Sequence, residues 1–86
     1  MKKFTYIITD PIGIHARPAG SLVKAVKVFG SAVTVTGPDG KSADAKKLLA
    51  LMSLGIRQGS EITVSVEGED EDSAAAAIEQ FLKENL

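Results

Sequence analysis

The sequence predicts an α+β fold: a four-stranded antiparallel sheet with three helices on one face, in the order β-α-β-β-α-β-α. Three observations predict it. Segments with apolar residues at every second position alternate with segments whose apolar residues recur at helical spacing. A Gly-Pro-Asp-Gly turn at 37–40 separates two strand-like segments closely enough for a hairpin. The first six elements also follow the split βαβ order, and an antiparallel sheet covered on one side satisfies every amphipathic segment. Pattern alone does not specify the order of strands within the sheet.

Each element has its own signal. Lys3 to Thr9 is rich in β-branched and aromatic residues and predicts the first strand, broken by the turn residues of "DPIG". From Ala16, residues Ala19, Leu22, Val23, Val26 and Phe29 keep helical spacing, with Gly30 as the expected C-terminal stop. "SAVTVT" alternates as a half-buried strand, and "KSADA" returns as its short partner. "KKLLALMSLG" predicts a short helix ended by Gly55, and "SEITVSVEG" a strand with Ile62, Val64 and Val66 on one face. The last segment, "EDEDSAAAAIEQFLKENL", predicts a helix with acids over its positive end and Ala74, Ile78, Phe81 and Leu82 on the packing face.

The chain has 86 residues, and a domain of this size buries roughly 60% of its unfolded surface, enough for one modest core. With 44% hydrophobic and 24% charged residues, it reads as one globular domain over 1–86. No cysteine is present, which excludes disulfides and thiolate metal sites and gives no reason to expect an oxidising compartment. No apolar run approaches the ~20 residues of a membrane span, and the N-terminal residues lack the pattern of a secretory signal. A cytoplasmic monomer is the expectation. The net charge of −1 hides an asymmetry: residues 1–50 carry eight Lys or Arg against three acids, and residues 51–86 carry two against eight. Aromatics make up only 5%, so the basic half lacks the interleaved pattern of a nucleic-acid binder. A solvated mixed surface explains the asymmetry, as does one basic face turned toward acidic partners.

The chemistry concentrates in "GIHARPAG", Gly13 to Gly20, which holds the only histidine and one of two arginines. The pattern places His15 at the N-cap of the first helix, with Ala16, Arg17 and Pro18 in its first turn. Proline is tolerated there because first-turn amides have no intrahelical acceptor to lose. The amides of Ala16 and Arg17 then stay free beside the imidazole, at a helix end that attracts anions. Arg17 adds a permanent planar charge suited to phosphate oxygens. A nucleophilic ring beside an anion cradle suits a histidine that takes up a phosphoryl group.

Other uses of one histidine are set against this. A histidine at a helix start commonly serves as a surface cap. A metal site would have only scattered carboxylates as co-ligands. A hydrolase triad would need a serine nucleophile that nothing in the sequence singles out.

"GIHARPAG", the following helix and hairpin, "KKLLALMSLGI" and "GSEITVSVEGEDE" together resemble the HPr family, phosphocarriers of the bacterial phosphoenolpyruvate-dependent sugar phosphotransferase system. The similarity runs over essentially the whole chain. It implies an open-faced β-sandwich of four antiparallel strands and three helices. It implies phosphorylation of His15 on Nδ1 by enzyme I and transfer to a sugar-specific enzyme IIA, with Arg17 orienting the phosphate. It also implies a carrier that is a co-substrate rather than an enzyme, with no metal or organic cofactor.

The residues give separate support for a docking face. Lys47 to Leu54 is apolar almost all round, whereas a short helix on a sheet buries one stripe. Leu51 and Leu54 fit the core, which leaves Leu48, Leu49 and Met52 for an exposed patch, unless all five are core. Methionine suits a surface that accepts several partners. The resemblance joins this patch to the histidine as the surface for enzyme I and enzyme IIA, completed by Gly20, Lys24, Lys27, Lys46 and Lys47. The lysines would steer acidic partners.

One position departs from the family. Many members carry at this position a serine that a regulatory kinase phosphorylates; Lys47 cannot be its target, and it places positive charge where phosphate would be negative. Ser42 and Ser53 are near but out of register. The Gly-Pro-Asp-Gly turn is also one residue longer than is common in the family. Two alternatives to the sugar-system carrier follow. One is a paralogous carrier serving a nitrogen-related or dihydroxyacetone kinase branch, and the other is a non-catalytic interaction module in which His15 is only a cap.

Overall fold

The computed structural model describes residues 1–86. Strands β1 (Lys2–Ile7), β2 (Ala32–Thr36), β3 (Ser42–Asp44) and β4 (Glu61–Glu67) are joined through helices α1 (Ala16–Lys27), α2 (Leu48–Ser53) and α3 (Glu71–Asn85). The strands form one antiparallel sheet in the order β1-β4-β2-β3. This is the expected open-faced arrangement, and it supplies the strand order that pattern could not. The predicted hairpin is present, with Thr34 opposite Asp44 and Thr36 opposite Ser42.

Alternation in the strands sorts residues between the two faces. Val33 and Val35 on β2 lie opposite Val66 and Val64 on β4, and all four are buried. Across from them, Thr34, Thr36, Thr63 and Ser65 lie on the face without helices. The helices close the apolar side through Leu22 and Val26 of α1, Leu51 of α2, and Ala74, Ile78 and Leu82 of α3. Burying each of the larger side chains contributes roughly 1.5–3 kcal/mol. Phe81 is half-buried against this core, as its helical position predicts. No helix is long and apolar enough to cross a membrane.

Several boundaries differ from expectation. β1 ends at Ile7, not Thr9, because the chain leaves the ladder there: the amides of Thr9 and Asp10 both donate to the Leu86 carbonyl, at 2.6 and 2.9 Å. α1 ends at Lys27, so Phe29 lies beyond it, and the Phe29 amide turns back to the Val26 carbonyl at 3.1 Å. Gly30 is not a left-handed cap. Its amide instead donates to the Asp70 carboxylate at 2.9 Å, and the Ser31 amide and hydroxyl donate to the other oxygen of the same group. Asp70 therefore ties the α1–β2 connection to the start of α3. α2 begins at Leu48, with Lys47 as its N-cap residue, and Gly55 closes it with φ of 63° as expected.

Candidate functional site

The loop before α1 is built to hold one backbone conformation. The Gly13 amide closes a turn on the Asp10 carbonyl at 3.0 Å, while the Asp10 side chain accepts from the Ile12 amide at 2.9 Å. Ile14 anchors the next step, with a buried side chain and an amide bonded to the Ile56 carbonyl at 3.1 Å. Gly13 has φ of 85°, and a Cβ there would strike the Ile56 carbonyl oxygen and sit 2.7 Å from Arg57 Cα. Only glycine meets both demands.

His15 follows in extended conformation as the N-cap residue, and its carbonyl accepts the first helical bond from Ala19 at 2.9 Å. Its side chain makes no cap bond. The sequence contributes to this: a capping side chain reaches the second or third helical amide, and the third residue, Pro18, has none, which leaves only the Arg17 amide. His15 is therefore an N-cap through its backbone alone. The ring is free for other work and stays at the surface, with 34% of its side chain exposed. Its Nε2 lies 3.8 Å from Asp10 Oδ1.

Around the ring, the first-turn amides of Ala16 and Arg17 have no intrahelical acceptor. No loop or side-chain oxygen takes them either. Arg17 is exposed and forms no ion pair. A shallow cleft of about 230 Å³ joins Asp10, His15, Arg17, Pro18, Ser21 and Asn85. Larger clefts of about 370 Å³ lie elsewhere, near Lys46 and beside Asp70, and neither borders the histidine. No three metal-binding side chains converge anywhere. The arrangement is an open surface nucleophile with unpaired amides and an unpaired cation beside it, which favours an incoming dianion over a small buried ligand.

His15 and Arg17, two residues apart in the sequence, line the same cleft. Asp10, Ser21 and Asn85 were not anticipated. The Asp-x-x-Gly spacing signals a turn at Asp10 but not its nearness to the imidazole. Asn85 arrives from the far end of the chain.

On α2 the apolar residues divide as predicted. Leu51 is fully buried and Leu54 packs half-buried on the core, whereas Leu48, Leu49 and Met52 are 37%, 80% and 39% exposed. Lys24 and Lys27 in the last turn of α1, and Lys47 before α2, are exposed without an ion-pair partner. Lys46 differs from expectation. It precedes α2 and is half-buried, with its ammonium donating to the Phe29 carbonyl beyond α1 at 3.1 Å. Gly20 lies within α1, and a Cβ there would touch nothing within 4 Å.

Comparison with known proteins gives this geometry its context. A family described as the PTS HPr component phosphorylation site matches residues 2–84. The phosphocarrier protein HPr of Mycoplasma genitalium is 45% identical over 85 residues, covering 99% of this chain and 97% of that protein. That of Lysinibacillus sphaericus is 45% identical over 84 residues, covering 98% and 94%. A solved histidine-containing phosphocarrier protein, described in relation to the divergence of Mycoplasma from Gram-positive bacteria, superposes with a TM-score of 0.92. It is 38% identical and is matched over 96% of this chain and 93% of its own. Fold and relatives together define a phosphocarrier, a protein that carries a phosphoryl group and is not itself an enzyme. The chain belongs to the HPr family of the phosphotransferase system.

Proposed function

We propose that His15 takes up the phosphoryl group on Nδ1 from phosphorylated enzyme I and passes it to enzyme IIA. The observation that carries this reading is the uncapped imidazole beside unpaired amides and the unpaired guanidinium of Arg17. Nδ1 is favoured because Nε2 faces the Asp10 carboxylate, which would repel an incoming dianion. In the transfer, the Nδ1 lone pair forms the new N–P bond. The donor's bond to phosphorus breaks, and its electron pair stays on the donor atom. The free amides and Arg17 stabilise charge on the three phosphoryl oxygens, the main work in this chemistry.

The docking surface would be the exposed Leu48, Leu49 and Met52 with Gly20, Lys24, Lys27 and Lys47 around them, and Lys46 at its edge. Gly20 supports this, because nothing within the chain requires glycine there while a close-packed partner would. Residues 1–86 would act as one cytoplasmic domain and as a monomer. Lys2 and Lys3 on the edge strand β1 disfavour sheet extension between copies. Lys47 at the N-cap of α2 leaves no hydroxyl there for serine-directed regulation.

The test is intact mass after incubation with enzyme I and phosphoenolpyruvate, beside His15→Ala. One acid-labile phosphoryl group, absent in the variant, is expected. No gain, with enzyme I active on another carrier, would overturn the reading.

A further inference from the structure

Asp10 enters the transfer chemistry above only as a repulsion that turns the phosphoryl group toward Nδ1, and its geometry carries more. Its carboxylate is mostly sheltered, with 23% of the side chain exposed, and Oδ1 is held by the Ile12 amide at 2.9 Å. Its backbone is fixed on both sides: the amide donates to the Leu86 carbonyl at 2.9 Å, and the carbonyl accepts from Gly13 at 3.0 Å. The turn-capping bond from Ile12 fixes where this carboxylate points. Here the same oxygen lies 3.8 Å from His15 Nε2, with no lysine or arginine paired to it.

We propose that Asp10 is a positioning residue for the phosphoryl carrier: its carboxylate holds the Nε2 side of the His15 ring and offsets the positive charge the ring gains when Nδ1 is phosphorylated. This rests on His15 being the acceptor. The charge balance requires such a group. A neutral imidazole with its proton on Nε2 has its lone pair on Nδ1. When that pair forms the N–P bond, and the donor's bonding pair leaves with the donor atom, the Nε2 proton stays in place. The ring becomes a phosphoimidazolium, cationic on the side away from phosphorus. A fixed carboxylate facing Nε2 stabilises that cation, and it favours the tautomer that exposes the Nδ1 lone pair beforehand. Arg17, which lines the same cleft, and the free first-turn amides serve the phosphoryl oxygens, which are negative. The site thus offers a carboxylate at Nε2 and, in the same cleft, donors for the phosphoryl oxygens.

Asp10→Asn keeps an oxygen for the Ile12 amide and removes the charge, and Asp10→Ala removes both. In Asp10→Asn, kcat for enzyme I-dependent uptake should fall about tenfold, the size of one carboxylate's effect at this distance in a half-exposed site. The KM for the carrier and the melting temperature should stay unchanged. In Asp10→Ala, nitrogen-15 spectra of the unphosphorylated ring should show a smaller fraction of the Nε2-protonated tautomer than in the parent protein. An uptake rate in Asp10→Asn within about twofold of the parent would overturn the proposal, as would an unchanged tautomer ratio in Asp10→Ala. The ring spectra need no phosphoryl donor. Failure of the parent protein to accept phosphate would therefore sink the reading of His15 as acceptor, while the tautomer ratio would still decide whether Asp10 holds the ring.

Discussion

His15 and Pro18 divide one helix start between them: the first supplies the N-cap backbone, and the second removes one of the two amides that an N-cap side chain could bind. The imidazole makes no bond to the remaining Arg17 amide and carries no capping duty. His15→Ala should therefore shift stability by no more than about 0.5 kcal/mol, as for a partly exposed side chain that makes no hydrogen bond to the fold. Phosphoryl uptake should disappear in the same variant. Urea unfolding beside the mass assay checks both, and a large stability loss would show that the ring does structural work after all.

Leu49 and Leu51 make a second contrast on one short helix. The former is 80% exposed and the latter fully buried. Leu51→Ala should cost about 2–5 kcal/mol, because it opens a cavity between α2 and the sheet. Leu49→Glu should change stability by about 0.5 kcal/mol or less. Its affinity for enzyme I, measured by titration calorimetry, should fall several-fold at the same time. Unchanged affinity would remove the patch from the docking surface.

What was legible in the sequence was local. Val33 and Val35, or Ile62, Val64 and Val66, declare a strand face by alternation, and His15, Arg17 and Pro18 lie within four consecutive residues. What was not legible depends on elements meeting across the chain. Gly30 looked like a helix stop, but its amide is used by Asp70, forty residues on. Lys46 looked like a free cation, but its ammonium closes on Phe29 from the neighbouring connection. Asn85 reaches the cleft because α3 runs back to the loop after β1, where Thr9 and Asp10 bind the Leu86 carbonyl. No spacing rule encodes that return, since it follows from the strand order.

Asp70 gives a pH dependence with a definite sign. The Ser31 hydroxyl first, then the Gly30 amide, hold its carboxyl below the usual carboxylate range. A folded-state value below the unfolded one stabilises the fold fully above the unfolded value and loses that contribution as pH falls through the folded one. Glu71, lowered mainly by the N-terminal ammonium at 2.8 Å and then by the Gly68 amide, adds in the same direction. The urea midpoint should be flat from neutral pH to about 5 and fall below about 4. Asp70→Asn should lower the plateau and weaken the acid slope without abolishing it, because Glu71 remains. An acid slope identical in Asp70→Asn would show that the clamp does not couple to the proton.

Gly20 separates the needs of the fold from those of binding. It sits in the fifth position of α1, where glycine disfavours a helix by about 1 kcal/mol relative to alanine, and an added Cβ would meet nothing within 4 Å. Gly20→Ala should therefore raise the melting temperature, by about 4–8 °C for a domain of this size. If the surface there must admit a partner's backbone, bulk rather than helix propensity decides function. Gly20→Leu should then keep most of the stability gain, because leucine is also a strong helix former, yet transfer phosphate more slowly to and from its partners. Transfer rates for the two variants, set against their melting temperatures, separate the effects. Gly20→Leu transferring at the parent rate would mean that no partner approaches α1 this closely, and the glycine would then have no account in either fold or docking.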